Sequence, residues 1–168
     1  MKILMVCLGN ICRSPLAEGF LRNKILQESS TNTSLRKIII DSAGTGNWHA
    51  GEHPDKRAIQ TAKKFGIDIS GLVARQFTVD DFIEFDLIFA MDHDNYRSIV
   101  TMARNASDKN KVRLLLNVDQ PGSNRSVPDP YYGGEDGFIH VCKLIETSCE
   151  AIVKELLNEK QNEPLNEY

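Results

Sequence analysis

The segment Cys7-Leu8-Gly9-Asn10-Ile11-Cys12-Arg13, followed at once by Ser14 and Pro15, sets a thiol and a guanidinium at the two ends of one short glycine-bearing loop. The apolar run Ile3-Leu4-Met5-Val6 before it reads as a buried strand. Ser14 suits a helix N-cap and Pro15 the first helical position after it. A strand–loop–helix of this kind gathers backbone N–H groups and a helix N-terminus around one point, a socket for a tetrahedral anion. Arg13 adds a planar fork for two oxygens of a phosphate. Cys7 lies at the floor of the socket, where positive potential favours thiolate over thiol. A nucleophilic sulfur beneath a bound phosphate implies phosphoryl transfer through a phosphocysteine.

Taken alone, Cys-x5-Arg is a weak pattern. Its setting sharpens it, because a cation at a helix N-terminus is repelled by the dipole unless an anion sits between them. Leu8 to Ser14 therefore form the expected phosphate-binding loop. In it Asn10 supplies hydrogen bonds or a positive-φ turn, and the Ser14 hydroxyl can also donate to Cys7. Cys12 is either a filler thiol or a redox partner that forms a disulfide with Cys7 and spares it from irreversible oxidation.

Asp129 is the candidate general acid, since a leaving oxygen needs a proton as the P–O bond breaks. Pro130 keeps Asp129 out of the helical region, on an extended loop. Tyr131 and Tyr132 can wall a slot for an aromatic ring, with Trp48 as the opposing wall or as a satellite of the core. Gly133-Gly134 follow as a hinge. His49, His53, His93 and His140 read as incidental, because a thiolate needs no base.

These residues need a frame. Four apolar runs read as strands: Ile3–Val6, Ile38–Ile40, Leu87–Ala90 and Val112–Leu116. Between them lie stripes of helical period: Leu16, Phe20, Leu21 and Ile25; Ala58, Ile59, Ala62 and Phe65, between Pro54 and Gly66; and Tyr96, Ile99, Val100 and Ala103, opened by Asp92 as N-cap. A longer stripe comes last: Phe138, Val141, Cys142, Ile145, Cys149, Ile152 and Leu156. A shorter helix is expected after Thr78. Strands alternating with helices imply an α/β fold with a parallel sheet covered on both faces. Ligands of such sheets bind beyond the strand C-terminal ends. The Cys7–Arg13 loop, the Asp41–Gly51 segment and the Asn117–Gly134 segment all fall on that edge.

The chain has 168 residues, 41% apolar and 26% charged, ordinary for one globular domain. A net charge of −3 gives no reason to expect nucleic acid or an anionic membrane as partner. The apolar start is too short for a signal peptide and no run is long enough for a membrane span, so the cytoplasm is the default. Four cysteines without a Cys-x-x-Cys pair support neither a disulfide scaffold nor zinc, and no metal or cofactor is expected. Residues 1–158 read as a single domain, with 159–168 as a polar tail.

The loop Cys7–Pro15 resembles the signature of low-molecular-weight protein tyrosine phosphatases, also known as acid phosphatases. Asp129-Pro130-Tyr131-Tyr132 resembles their second motif, and Asp41-Ser42-Ala43-Gly44 with Asn47-Trp48 their segment after the second strand. The resemblance runs from Lys2 to Leu157. It implies three layers, with a four-stranded parallel sheet between helices (Rossmann-like, phosphotyrosine phosphatase I-like), and metal-free hydrolysis of phosphotyrosine and small aryl phosphates. By it Cys7 is the nucleophile, Arg13 the phosphate clamp and Asp129 the acid. Asn10, Ser14 and Ser42 form the loop-supporting network, and phosphate, sulfate or vanadate binds in the loop. The partners it implies are phosphotyrosine proteins or peptides, bound by a chain that is mostly monomeric with weak dimerisation. Glu18 matches a carboxylate that often meets a histidine ahead of an Ala-Arg-Gln segment. Here that segment is Ala74-Arg75-Gln76 and the histidine's position holds Leu72, so the contact has to differ.

Three rivals use similar chemistry. Thiol-coupled arsenate reductases resemble this loop but need two further cysteines; Cys142 and Cys149 lie on an apolar helical stripe and read as core. Phosphoarginine phosphatases resemble a loop with threonine at the position of Ile11. A cysteine phosphocarrier would need no acid at Asp129.

Overall fold

The apolar runs form four strands in the computed structural model, which describes residues 1–161: β1 (Lys2–Cys7), β2 (Ile39–Gly44), β3 (Leu87–Ala90) and β4 (Val112–Leu114). They pair in parallel in the order β2-β1-β3-β4. Parallel neighbours need crossovers, and these carry the helices α1 (Arg13–Glu28), α2 (Lys56–Lys64), α3 (Asp81–Glu84), α4 (His93–Met102), α5 (Ala106–Asn110) and α6 (Glu135–Gln161).

Alternation along β1 splits the core in two. Ile3, Met5 and Cys7 face the layer built by α1, α2 and α6, whereas Leu4 and Val6 face Phe77, Phe82 and Ile99 on the other side. Sulfur therefore emerges on the α1 face at the C-terminal end of a central strand. Leu16, Phe20, Leu21 and Ile25 of α1 are all buried, as are the seven stripe residues of α6. Gly19 lets α1 close on the chain below it, since a Cβ there would stand 2.4 Å from Ile69 Cγ2.

Several boundaries move. β2 continues past the apolar run through Asp41–Gly44, because parallel pairing with β1 persists to Cys7↔Gly44. β4 stops at Leu114 and passes into a 3-10 turn, Leu115–Asn117. Asp92 caps α4 as expected, its side chain accepting from the Asn95 amide. Ser14 is no N-cap: α1 already begins at Arg13, and the Ser14 hydroxyl is drawn inward to the loop. α5 had no signal beyond Asn105, which caps it by accepting from the Asp108 amide. α6 extends to Gln161, into the expected polar tail, the rest of which lies outside the described residues.

Candidate active site

The loop after β1 is fixed by its neighbours on both sides. Thr45 and Gly46 amides donate to the carbonyls of Cys7 and Leu8, each at 2.9 Å. A Cβ at Gly44 would stand 2.9 Å from Leu8 O, so β2 has to end in glycine where the loop crosses it. Asn10 takes φ of 56°, the left-handed turn that lets the loop reverse.

Hydrogen-bond directions beneath the loop follow from one amide. The Asn10 Oδ1 accepts from the Arg75 backbone N–H at 2.9 Å, which fixes Nδ2 as the end facing two serines. Nδ2 donates to Ser14 Oγ at 2.8 Å and to Ser42 Oγ at 2.9 Å. Each hydroxyl has thereby accepted, and its own proton is free to donate onward. Ser42 donates to Glu18 Oε2 at 2.5 Å. Ser14 stands 3.0 Å from Cys7 Sγ, with the Ala43 carbonyl at 3.3 Å as its other acceptor. The Asn10 backbone N–H also points at the sulfur, at 3.2 Å. Both groups around Cys7 are thus arranged to give hydrogen bonds, the arrangement an anionic sulfur accepts.

Arg13 is almost fully buried. Nη1 donates to Asp92 Oδ2 at 2.5 Å and to the Val127 carbonyl at 3.1 Å, and Nη2 reaches Asp129 Oδ2 at 3.3 Å. A guanidinium has five N–H donors, and among the described residues these three contacts leave Nε–H and one Nη2–H to meet phosphate oxygens. Burial works against the Arg13 charge, but the Cys7 sulfur and then Asp92 and Asp129 outweigh it and raise its pKa. The Cys12 thiol is pushed far up by burial and by the neighbouring charges of Asp55, Cys7 and Asp129. It stays protonated at neutral pH.

Asp129 is half-exposed at the cleft, with Oδ1 accepting from the Tyr131 N–H at 3.1 Å and Oδ2 toward Arg13. Together these residues line a cleft of about 270 Å³, floored by Cys7, Gly9, Cys12 and Arg13 and walled by Leu8, Ile11, Trp48, Tyr131 and Tyr132. Trp48 is a wall rather than core, 59% exposed, and lies over Gly46, where a Cβ would meet its ring at 2.1 Å. Tyr132 is 96% exposed.

Three residues of the site carried no such role in the sequence. Asp92 reads there as a helix cap, yet its two oxygens do two things, Oδ1 capping α4 and Oδ2 holding Arg13. His49, set aside as incidental, lines the cleft beside Trp48, with Nδ1 on Glu52 at 2.8 Å. His53, four positions on, turns to the Leu72 carbonyl instead, and no His/Cys/Asp/Glu group able to hold a metal occurs among the described residues. Arg22 takes over what a histidine would do for Glu18, pairing with Oε1 at 2.6 Å. Burial raises the Glu18 pKa, and the Ser42 hydrogen bond and Arg22 oppose it. Cys142 and Cys149 are fully buried in the core between α6 and its neighbours and do not line the cleft. Burial pushes the Cys142 thiol up to about 12.

The cleft thus brings together the Cys7 thiol, the Arg13 guanidinium and the Asp129 carboxyl. Residues 2–162 match the family model for low molecular weight phosphotyrosine protein phosphatase. A low molecular weight protein-tyrosine-phosphatase of Synechocystis is 46% identical, across 94% of this chain and all of its own. The crystal structure of a protein tyrosine phosphatase from Entamoeba histolytica, with Hepes in its active site, superposes with a TM-score of 0.85 at 39% identity, over 95% of this chain and 99% of that one. A Drosophila arginine phosphatase superposes with a TM-score of 0.82 at 33% identity, over 93% and 98%. The chain belongs to the low molecular weight phosphotyrosine protein phosphatase family. No helix among the described residues is long and apolar enough to cross a membrane.

Proposed function

We propose that this chain hydrolyses phosphotyrosine and small aryl phosphate monoesters through a covalent phosphocysteine. The observation that carries the assignment is the convergence of the Asn10 N–H and the Ser14 hydroxyl on Cys7 Sγ, beneath the two unspent donors of Arg13. A phosphate dianion enters the loop of Leu8–Arg13, and phosphate, sulfate or vanadate would bind there in the same way. The Cys7 thiolate attacks phosphorus in line while loop N–H groups and Arg13 hold the equatorial oxygens. The P–O bond to the leaving oxygen breaks, and Asp129 gives that oxygen its proton. The Asp129 carboxylate then takes a proton from water, which attacks phosphorus, releases inorganic phosphate and returns Cys7 as thiolate.

Ile11, where phosphoarginine phosphatases resemble a loop with threonine, and the aromatic walls of Trp48, Tyr131 and Tyr132 favour an aryl leaving group over a guanidino one. Asp129 separates the reading from that of a phosphocarrier. Cys12 is the resolving thiol: once peroxide has oxidised Cys7 to the sulfenic acid, Cys12 sulfur attacks Cys7 sulfur, its proton goes to the sulfenic oxygen, which leaves as water, and the disulfide closes. A single domain over residues 1–158, mostly monomeric, in a reducing cytoplasm fits a nucleophile that has to stay reduced. The test is a pH–rate profile on p-nitrophenyl phosphate with Asp129→Asn beside wild type, and rates on phosphotyrosine and phosphoarginine peptides side by side. Asp129→Asn should lower kcat/KM by about two to four decades and remove the limb that needs the acid protonated. Full activity of that variant on phosphotyrosine peptides, or faster turnover of the phosphoarginine peptide, overturns the assignment.

A further inference from the structure

Arg57 lies outside the loop and outside the cleft lining, yet it touches the backbone of Tyr131, whose N–H holds the acid. Its neighbour Asp55 caps α2 and donates its backbone N–H to the carbonyl of Ile11, inside the anion loop, at 2.8 Å. The Asp55 carboxylate accepts from one edge of the Arg57 guanidinium, Oδ1 from Nε at 3.0 Å and Oδ2 from Nη2 at 2.8 Å. That leaves Nη1, which donates to the Tyr131 carbonyl at 2.9 Å and reaches the Gly133 carbonyl at 3.4 Å. The guanidinium lies 5.4 Å from the Tyr131 ring centroid and 5.0 Å from that of Phe138, stacked against the start of α6. Four of the five N–H donors of the fork therefore have partners.

Buried Val127 and Pro130 anchor the loop on its core side, and toward α2 it is Arg57 that holds it. Gly133-Gly134 give it no side chains, and Tyr132 is in solvent. Tyr131 carries the connection: its carbonyl is held by Arg57 and its N–H holds Asp129 Oδ1, so the carboxyl turns Oδ2 into the cleft. We infer that Arg57 is a positioning residue for the general acid, tying the phosphate loop to the Asp129–Gly133 loop through Asp55 and Tyr131, so that the proton donor stands in register with the bound phosphate.

This rests on the reading of Asp129 as the acid, and the experiment separates the two. It measures kcat/KM for wild type, Arg57→Ala, Arg57→Lys and Asp129→Asn across aryl phosphates whose leaving phenols range from strongly to weakly acidic. A misplaced acid matters most where the leaving oxygen is most basic. Arg57→Ala should lose about tenfold on phenyl phosphate and no more than about twofold on dinitrophenyl phosphate, its dependence on leaving-group acidity steepening toward that of Asp129→Asn. Arg57→Lys, a point charge without the fork, should fall between. Lys64→Ala, which removes an exposed ion pair with Glu135 between the same two helices, should leave the dependence unchanged. A loss of equal size across the series in both Arg57 variants, or none, overturns the inference. If Arg57→Ala does not fold, Arg57→Lys decides alone. Failure of Asp129→Asn to steepen the dependence sinks the acid assignment instead.

Discussion

The floor of the cleft and its walls are built on opposite terms. Beneath Cys7 the polar side chains Asn10, Ser14, Ser42 and Glu18 are all buried, and each is held by named partners. Around the mouth, Trp48 and Tyr132 expose more than half of their surface. A buried polar network has few alternative arrangements, because any break leaves a donor or acceptor without water. An exposed aromatic wall can shift rotamer at little cost. Charge stabilisation needs the first kind of structure, with no reorganisation during the reaction. Adaptation to different leaving groups needs the second. The comparison teaches that rate should reside in the floor and affinity in the walls.

Removing the Cys7 sulfur, the proposed nucleophile, is the most severe intervention. Cys7→Ser should cut kcat by at least about four decades while phosphate still binds, seen by isothermal titration, because the socket outlasts its nucleophile. Asn10→Ala comes next. It forces alanine into the left-handed region at about 1–2 kcal/mol and leaves the Arg75 N–H and two serines without their common partner. A loss of about a hundredfold in kcat/KM is expected, together with a lower Tm. Asn10→Gly, which restores the turn but not the bonds, should recover part of it. Trp48→Ala and Tyr132→Ala should act on KM instead, raising it about twofold to tenfold for aryl phosphates with kcat unchanged, the scale of one aromatic contact. If a wall variant lowers kcat as far as Asn10→Ala does, the division between floor and wall fails.

The smallest effect concerns Glu18, the far end of the floor network. Burial raises its pKa in the folded protein above the unfolded value. Its contribution to stability is then fully present below the ordinary glutamate pKa and is lost as pH rises through the raised folded value. Glu18→Gln removes that dependence. The Tm of Glu18→Gln relative to wild type should therefore climb as pH is taken from about 4 to 7. A difference in Tm that is flat across this range would show that Ser42 and Arg22 fully offset the burial of the carboxylate.

The strand–loop–helix at Cys7–Arg13, the proposed acid Asp129, the aromatic side chains of the cleft and the order of elements are all legible in the sequence. Each of these is written within a few consecutive residues or in a short repeating period, so local sterics and burial specify it. It misjudged what depends on distant partners. Ser14 looks like a cap, and only the approach of β2 and of Asn10 draws its hydroxyl to sulfur. Asp92 shows its cap in the sequence, but not the Arg13 pair formed across 79 positions. Arg57 gave no signal, because its role exists only once α2 and the loop before α6 are neighbours. The tertiary structure alone decided these, since hydrogen bonds and ion pairs between remote segments depend on separations that no local pattern encodes.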